Sequence, residues 1–360
     1  MKFRLSCLAI LLSCLVGCDR SDSLGTLWRQ YQTHFVAADG RVIDTGNEGI
    51  SHSEGQGYGM LFAVAAKDRQ TFEQIWRWTR SNLQVRSDHL FIWRRRPGTP
   101  VAKEDPNNAT DGDLLIAWAL LEAAETWKEP SWRRQGRHIL KDLKSTVIRS
   151  WQGKPVLLPA ATGFEREKYL ILNLSYWVFP ALTRFASLDA DPIWQGLIQS
   201  GLELIHRARF GAWQLPADWV EASETLQPWR ERQARFGYDA IRIPLYLVWS
   251  DHIDNDLLAP YRNFWENFGT FVPPWIDLKA NCVGAYRAPP GIRAVSHLTH
   301  HAADEKWRLN LPQPDQDYYS ASLVLLSHMA AHHAKRRSGG FKRLLGASEG
   351  SKSGKTNSAP

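Results

Sequence analysis

The chain has 360 residues, 44% of them hydrophobic, with 17 Trp and a formal charge of +7. That supplies enough apolar material for one large core or two ordinary ones and excludes disorder over most of the length. The charge is partly a tail effect, because the segment from Lys335 onward, "KRRSGGFKRLLGASEGSKSGKTNSAP", is basic. No base-stacking module or basic recognition helix accompanies it, so the charge gives no ground for nucleic-acid binding.

In chain order, the first element is "MKFRLSCLAILLSCLVGCDR": Lys2 and Arg4, then an apolar run from Leu5 to Val16. The run is short for a membrane span and suits an export signal. Its end, "LVGC", resembles the lipobox of bacterial lipoproteins, which implies lipidation of Cys18, and Asp19 implies retention at the inner membrane. Ordinary cleavage nearby is the alternative. Residues 1–18 are therefore expected as a signal, 19–335 as one domain and 336–360 as a disordered basic tail. Past the signal only Cys282 remains, so an exported domain of this size depends on its core and not on an intramolecular disulfide.

Apolar spacing predicts helices over about 53–66, 70–82, 109–127, 131–149, 168–186, 190–209, 237–251, 256–268 and 315–333. A short strand is expected at His89 to Arg94, and long Trp/Pro/Gly-rich connections lie between helices. Hairpins of helices from end to end point to an all-α ring of paired helices with short strands in the loops.

Three places carry chemistry. "SHSEGQGYGM" opens a helix with Gly55, Gly57 and Gly59 in its first turns, each costing about 1 kcal/mol relative to Ala. Ser51-x-x-Glu54 fits a capping box, which does not require those glycines. Close approach of a neighbouring helix or a bulky ligand does require them, placing Glu54 at a crowded cleft floor with a raised pKa suited to a general acid. In "NNATDGDLLIAWALLEAAETW", Thr110 and Asp111 stand where the helix is capped. Asp111 is either a plain cap or a carboxylate held ionised by the helix N-terminus. In "RFGYDAIRIPLYLVW", Asp239 and Arg242 at i,i+3 are a helix ion pair or a base beside its guanidinium partner.

The stretch Ala109 to Trp127 matches the signature of glycoside hydrolase family 8, and "SEGQGYGM" and "YDAIR" resemble that family's two other blocks, in the same order. Within the family the likeness is to periplasmic endoglucanases that accompany bacterial cellulose synthases. The resemblance implies an (α/α)6 barrel, inverting hydrolysis of β-1,4-glucan and no metal or other cofactor. It gives Glu54 as general acid, Asp239 as the base that activates water, and Asp111 as the residue that binds and distorts the sugar. An inverting enzyme needs acid and base about 6.5–9.5 Å apart.

Sugar rings present apolar faces, so Trp93, Tyr176 and Trp177 are expected as platforms, the last two in "NLSYWVF", which resembles a family segment near the substrate. The resemblance also implies Tyr238, Tyr318 and Tyr319 near the substrate, with Arg242 beside Asp239. His297, His300, His301, His328 and His332 complete no HExxH pattern and are read as ordinary surface or core histidines, with no metal. The positive chain favours a neutral glucan over cationic chitosan. Xylan and mixed-linkage glucan stay open, as do a non-catalytic glucan-binding accessory and an envelope scaffold. The resemblance further implies contact with a cellulose synthase complex, and the lipidated cysteine implies contact with the membrane.

Overall fold

A computed structural model describes residues 21–250, 254–301 and 317–350. The expected signal and Cys18 lie outside the described residues. Among these, the helices are α1 (Ser21–Phe35), α2 (Ser53–Ala65), α3 (Arg69–Asn82), α4 (Thr110–Thr126), α5 (Pro130–Thr146), α6 (Phe179–Leu188), α7 (Ile193–Arg207), α8 (Arg242–Trp249), α9 (Asn255–Asn267), α10 (Pro290–His301) and α11 (Tyr318–Gly350). The strands are short: β1 (Ser51–His52), β2 (Arg94–Arg95), β3 (Ile148–Trp151), β4 (Lys154–Leu157), β5 (Leu170–Leu172), β6 (Val220–Ala222), β7 (Leu226–Pro228), β8 (Arg235–Phe236), β9 (Ile276–Asp277) and β10 (Cys282–Val283). They pair antiparallel as β1-β2, β3-β4, β5-β6-β7 and β8-β9-β10.

Two kinds of helix build an (α/α)6 barrel. In α2, α4 and α8 almost every residue is buried, as a helix apolar on all sides must be. By contrast α3, α5 and α7 bury one stripe, such as Phe72, Ile75, Trp76 and Thr79 of α3, and turn charge to solvent. The first kind lines the interior and the second surrounds it, α2 packing on α3 and α4, α4 on α5, and α6 on α7 and α8. The ring closes where α11 meets α1 and α8.

The three glycines of the second helix are explained by packing. A Cβ on Gly57 would lie 2.6 Å from that of Leu115 on α4, one on Gly59 2.8 Å from Val42, and one on Gly55 2.7 Å from the Tyr318 hydroxyl. From the other side, Gly112 of α4 presses on Ser53, and a Cβ there would lie 2.8 Å from the Glu54 nitrogen. The helices that carry Glu54 and Asp111 thus touch backbone to backbone at their starts.

Several expectations are corrected. Ser51 is in β1 opposite Arg95, and the α2 cap is His52, whose Nδ1 accepts the Gly55 N–H at 3.1 Å, so no capping box forms. Ala109, not Thr110 or Asp111, is the cap position of α4, while the Thr110 hydroxyl donates to the Leu158 carbonyl. Most of His89 to Arg94 is extended chain outside any sheet, its Phe91 N–H taken by buried Asp113. Residues 168–178 form β5 and a 3₁₀ turn, Leu174–Tyr176, before α6 begins, since short apolar runs do not tell strand from helix. The helices α1 and α10 were not anticipated. The last helix runs to Gly350, inside the segment expected to be disordered, where Lys, Arg, Leu and Ala are good helix formers.

Substituting Gly112→Ala is expected to drive α2 from α4, lowering stability by about 1–3 kcal/mol in urea denaturation, the usual range for overpacking. A wild-type midpoint would show that the two helix starts can separate freely.

Candidate active site

Glu54, Asp111, Asp239 and Arg242 come together in one cleft of about 480 Å3. Each arrives from a different place: Glu54 from the first turn of α2, Asp111 from the first turn of α4, Asp239 from the turn preceding α8, and Arg242 from the first residue of α8. The barrel brings the starts of inner helices to the same end, where their positive dipole ends face the carboxylates.

Arg242 is the hub. Its side chain is only 4% exposed, and Nη1 contacts Glu54 and lies 3.4 Å from Asp111 Oδ2. Nη2 reaches Asp239 Oδ1 at 2.9 Å and donates to Ser175 Oγ at 2.9 Å. Glu54 and Asp239, the expected acid and base, are thereby linked through the two ends of one guanidinium. The Tyr58 hydroxyl donates to Glu54 Oε1 at 2.9 Å and meets the Tyr246 hydroxyl at 3.1 Å. His52 sits on the other side of Glu54, with Nδ1 3.8 Å from Oε2, and its Nε2 faces Asp44 at 3.4 Å.

One positive charge cannot offset three carboxylates away from water. Burial pushes Asp239 up to about 6, although the side chains of Asn173 and Trp219 pull it down. Burial also raises Asp111 to about 7, with Asp239 adding to the rise and the Gly112 N–H opposing it. The expectation that the helix N-terminus keeps Asp111 ionised is therefore reversed, because desolvation outweighs the dipole. A carboxyl that exchanges protons near neutrality suits acid–base chemistry.

Aromatic side chains form the walls. Trp93 lines the cleft, its Nε1 donating to Asp105 at 2.9 Å and the Arg94 guanidinium 4.2 Å from its ring centroid. Tyr176 lines it from the 3₁₀ turn, next to Trp219, which stacks on Phe164. Tyr238 and Tyr319 stand together, the Tyr319 hydroxyl donating to the Tyr238 carbonyl, and Tyr238 meets Tyr286 at 2.8 Å between hydroxyls. Tyr318 is buried at the floor with its ring edge-on to His52. Trp177 is not a platform: it is 1% exposed, donates Nε1 to the Leu197 carbonyl and packs on Gly201. The tight turn aims Tyr176 and Trp177 to opposite sides.

Cleft charge corrects a further expectation. Among the described residues Asp44, Glu54, Asp111, Asp239 and Asp317 line it with Arg242 as the one Lys or Arg, so the net charge of the chain is no guide to the charge of the cleft. Among the described residues no group of three or more His, Cys, Asp or Glu could hold a metal ion. Burial pushes His328 down to about 4, keeping it neutral within α11. Tyr58, Ser175, Asp218 and Tyr246 were missed from sequence. Only Tyr58 had a signal, its i+4 spacing from Glu54.

Paired carboxylates of raised pKa in an aromatic-walled cleft on an (α/α)6 barrel define a glycoside hydrolase. The chain belongs to "Glycosyl hydrolases family 8", whose pattern matches residues 2–333. It is 41% identical over 313 residues to a "Probable endoglucanase" of Novacetimonas hansenii, covering 86% of this chain and 91% of that protein. Among solved structures it is similar to an endo-beta-1,4-glucanase, CMCax, from Acetobacter xylinum, with a TM-score of 0.82 and 41% identity, covering 87% of this chain and 99% of the other. The endoglucanase Cel10 of Klebsiella pneumoniae gives a TM-score of 0.81 at 38% identity, covering 86% and 99%.

Asp239, expected as the base, must be ionised to accept a proton, so in that role turnover should rise with pH as it loses its proton near 6. The pH profile of kcat/KM should show this acid limb, about two units above that of an exposed aspartate. A limb near pH 4 would place the base elsewhere.

Proposed function

We propose that the chain is an endo-β-1,4-glucanase that cleaves glucan chains with inversion. The observation that carries this is the convergence of Glu54, Asp111 and Asp239 on one guanidinium in an aromatic-walled cleft. The named endoglucanase relatives, matched over nearly their whole length, support the substrate class.

Glucose rings stack on Trp93, Tyr176 and Tyr238, which sets the scissile bond over the carboxylates. Glu54 gives its proton to the glycosidic oxygen as the bond from the anomeric carbon breaks. A water attacks that carbon from the opposite face and loses its proton to Asp239, so the configuration inverts. Asp111 hydrogen-bonds the sugar at the cleavage point and favours the distorted ring. Each turnover leaves Glu54 ionised and Asp239 protonated, and solvent restores both.

The N-terminal "LVGC" further supports a lipid on Cys18, holding the enzyme at the periplasmic face of the inner membrane. There it trims chains issuing from a cellulose synthase complex. The five carboxyl groups among the described lining residues favour one second reading, activity on a cationic β-1,4-linked amino sugar polymer, which cleavage of chitosan by the wild type would test.

Glu54→Gln and Asp239→Asn should each lower cleavage of carboxymethyl cellulose and cello-oligosaccharides by about 10²–10⁴ while leaving oligosaccharide binding intact. NMR should detect the α-anomer first. A β-anomer would overturn inversion, and binding without cleavage by the wild type would make the chain a glucan-binding accessory. Cys18→Ala should move the protein from the membrane to the soluble fraction, and an unchanged distribution would remove the anchor.

A further inference from the structure

We propose that Asp218 is the positioning residue of the base: its carboxyl group fixes the turn that presents Asp239. This rests on Asp239 being the water-activating base.

Asp218 lies in the chain just before β6, and its Oδ1 accepts three backbone N–H groups of one turn, from Gly237 at 3.0 Å, Asp239 at 3.2 Å and Ala240 at 2.8 Å. Its own N–H donates to the Arg235 carbonyl at 2.7 Å. The turn lies flat on the carboxylate, since a Cβ on Gly237 would come within 3.0 Å of Oδ2. These bonds occupy N–H groups that a helix beginning at 237 would leave free, and α8 starts only at Arg242. Asp239 is thus carried on a rigid turn tied to the cleft wall, because the next residue, Trp219, stacks on Phe164 and meets Tyr176 edge-on.

Burial raises Asp218 to about 7, against the three N–H groups it accepts. Its role is therefore that of an acceptor for the turn, which needs an oxygen at this place and not a charge.

Two substitutions test this. Asp218→Asn keeps an oxygen for the three N–H groups and should retain most of the wild-type kcat, a rescue that a role for the charge would not allow. Asp218→Ala releases the turn, and kcat should fall about ten- to a hundredfold with KM little changed, as a misplaced reacting group does. Where the alanine variant folds poorly, Asp218→Ser, whose shorter side chain does not span the three N–H groups, takes its place. Wild-type kcat in a folded Asp218→Ala overturns the proposal, as does an Asp218→Asn that loses as much kcat as the alanine variant. Asp239→Asn run alongside tells the two failures apart. If it retains turnover, the base assignment falls and this proposal with it; if it is inactive beside an Asp218→Ala of wild-type kcat, only this proposal falls.

Discussion

The site depends on one buried guanidinium shared among three carboxylates. Arg242 is 4% exposed in its side chain and touches Glu54, Asp111 and Asp239, so it fixes their mutual geometry. A buried arginine of this kind needs anionic partners, and a surplus of them leaves the cluster net negative in a region of low dielectric. Burial favours the protonated form of these carboxyl groups, which is why Asp111 and Asp239 sit above the usual carboxylate range, Asp239 adding to the rise at Asp111. Structural necessity and acid–base function have the same electrostatic origin.

The glycines make that cluster attainable. Ordinary helix packing holds axes 8–10 Å apart, and side chains at the contact would push Glu54 and Asp111 away from each other. Gly57 and Gly112 remove the obstruction, at the propensity cost glycine carries inside a helix. The cost falls on the two helices whose first turns hold chemistry. His52 adds a second economy, capping α2 through Nδ1 while standing against Glu54.

The loops supply what the barrel lacks. Pairing of β1 with β2 ties the start of α2 to the segment that carries Trp93, and the Ser53 N–H donates to the Trp93 carbonyl at 2.9 Å. The β5-β6-β7 sheet and the 3₁₀ turn raise Tyr176, Trp219 and Asp218 as a wall, and β8 leads into the Asp239 turn. A rigid helical body thus carries a substrate surface built almost wholly from connections.

The sequence by itself determined the all-α class, most helices, the three carboxylates and the family. These are local matters: periodicity of 3.6, glycine placement, and blocks whose residues are contiguous. Tertiary structure alone decided that Trp177 is core while Tyr176 faces the cleft, that His52 and not Ser51 caps α2, and that Asp111 is raised instead of held ionised. It also placed Asp218 beneath a turn 19–22 residues further along the chain. Each of these depends on what comes close from elsewhere in the chain and on how much water it displaces, and neither distance nor desolvation can be read from neighbours in sequence.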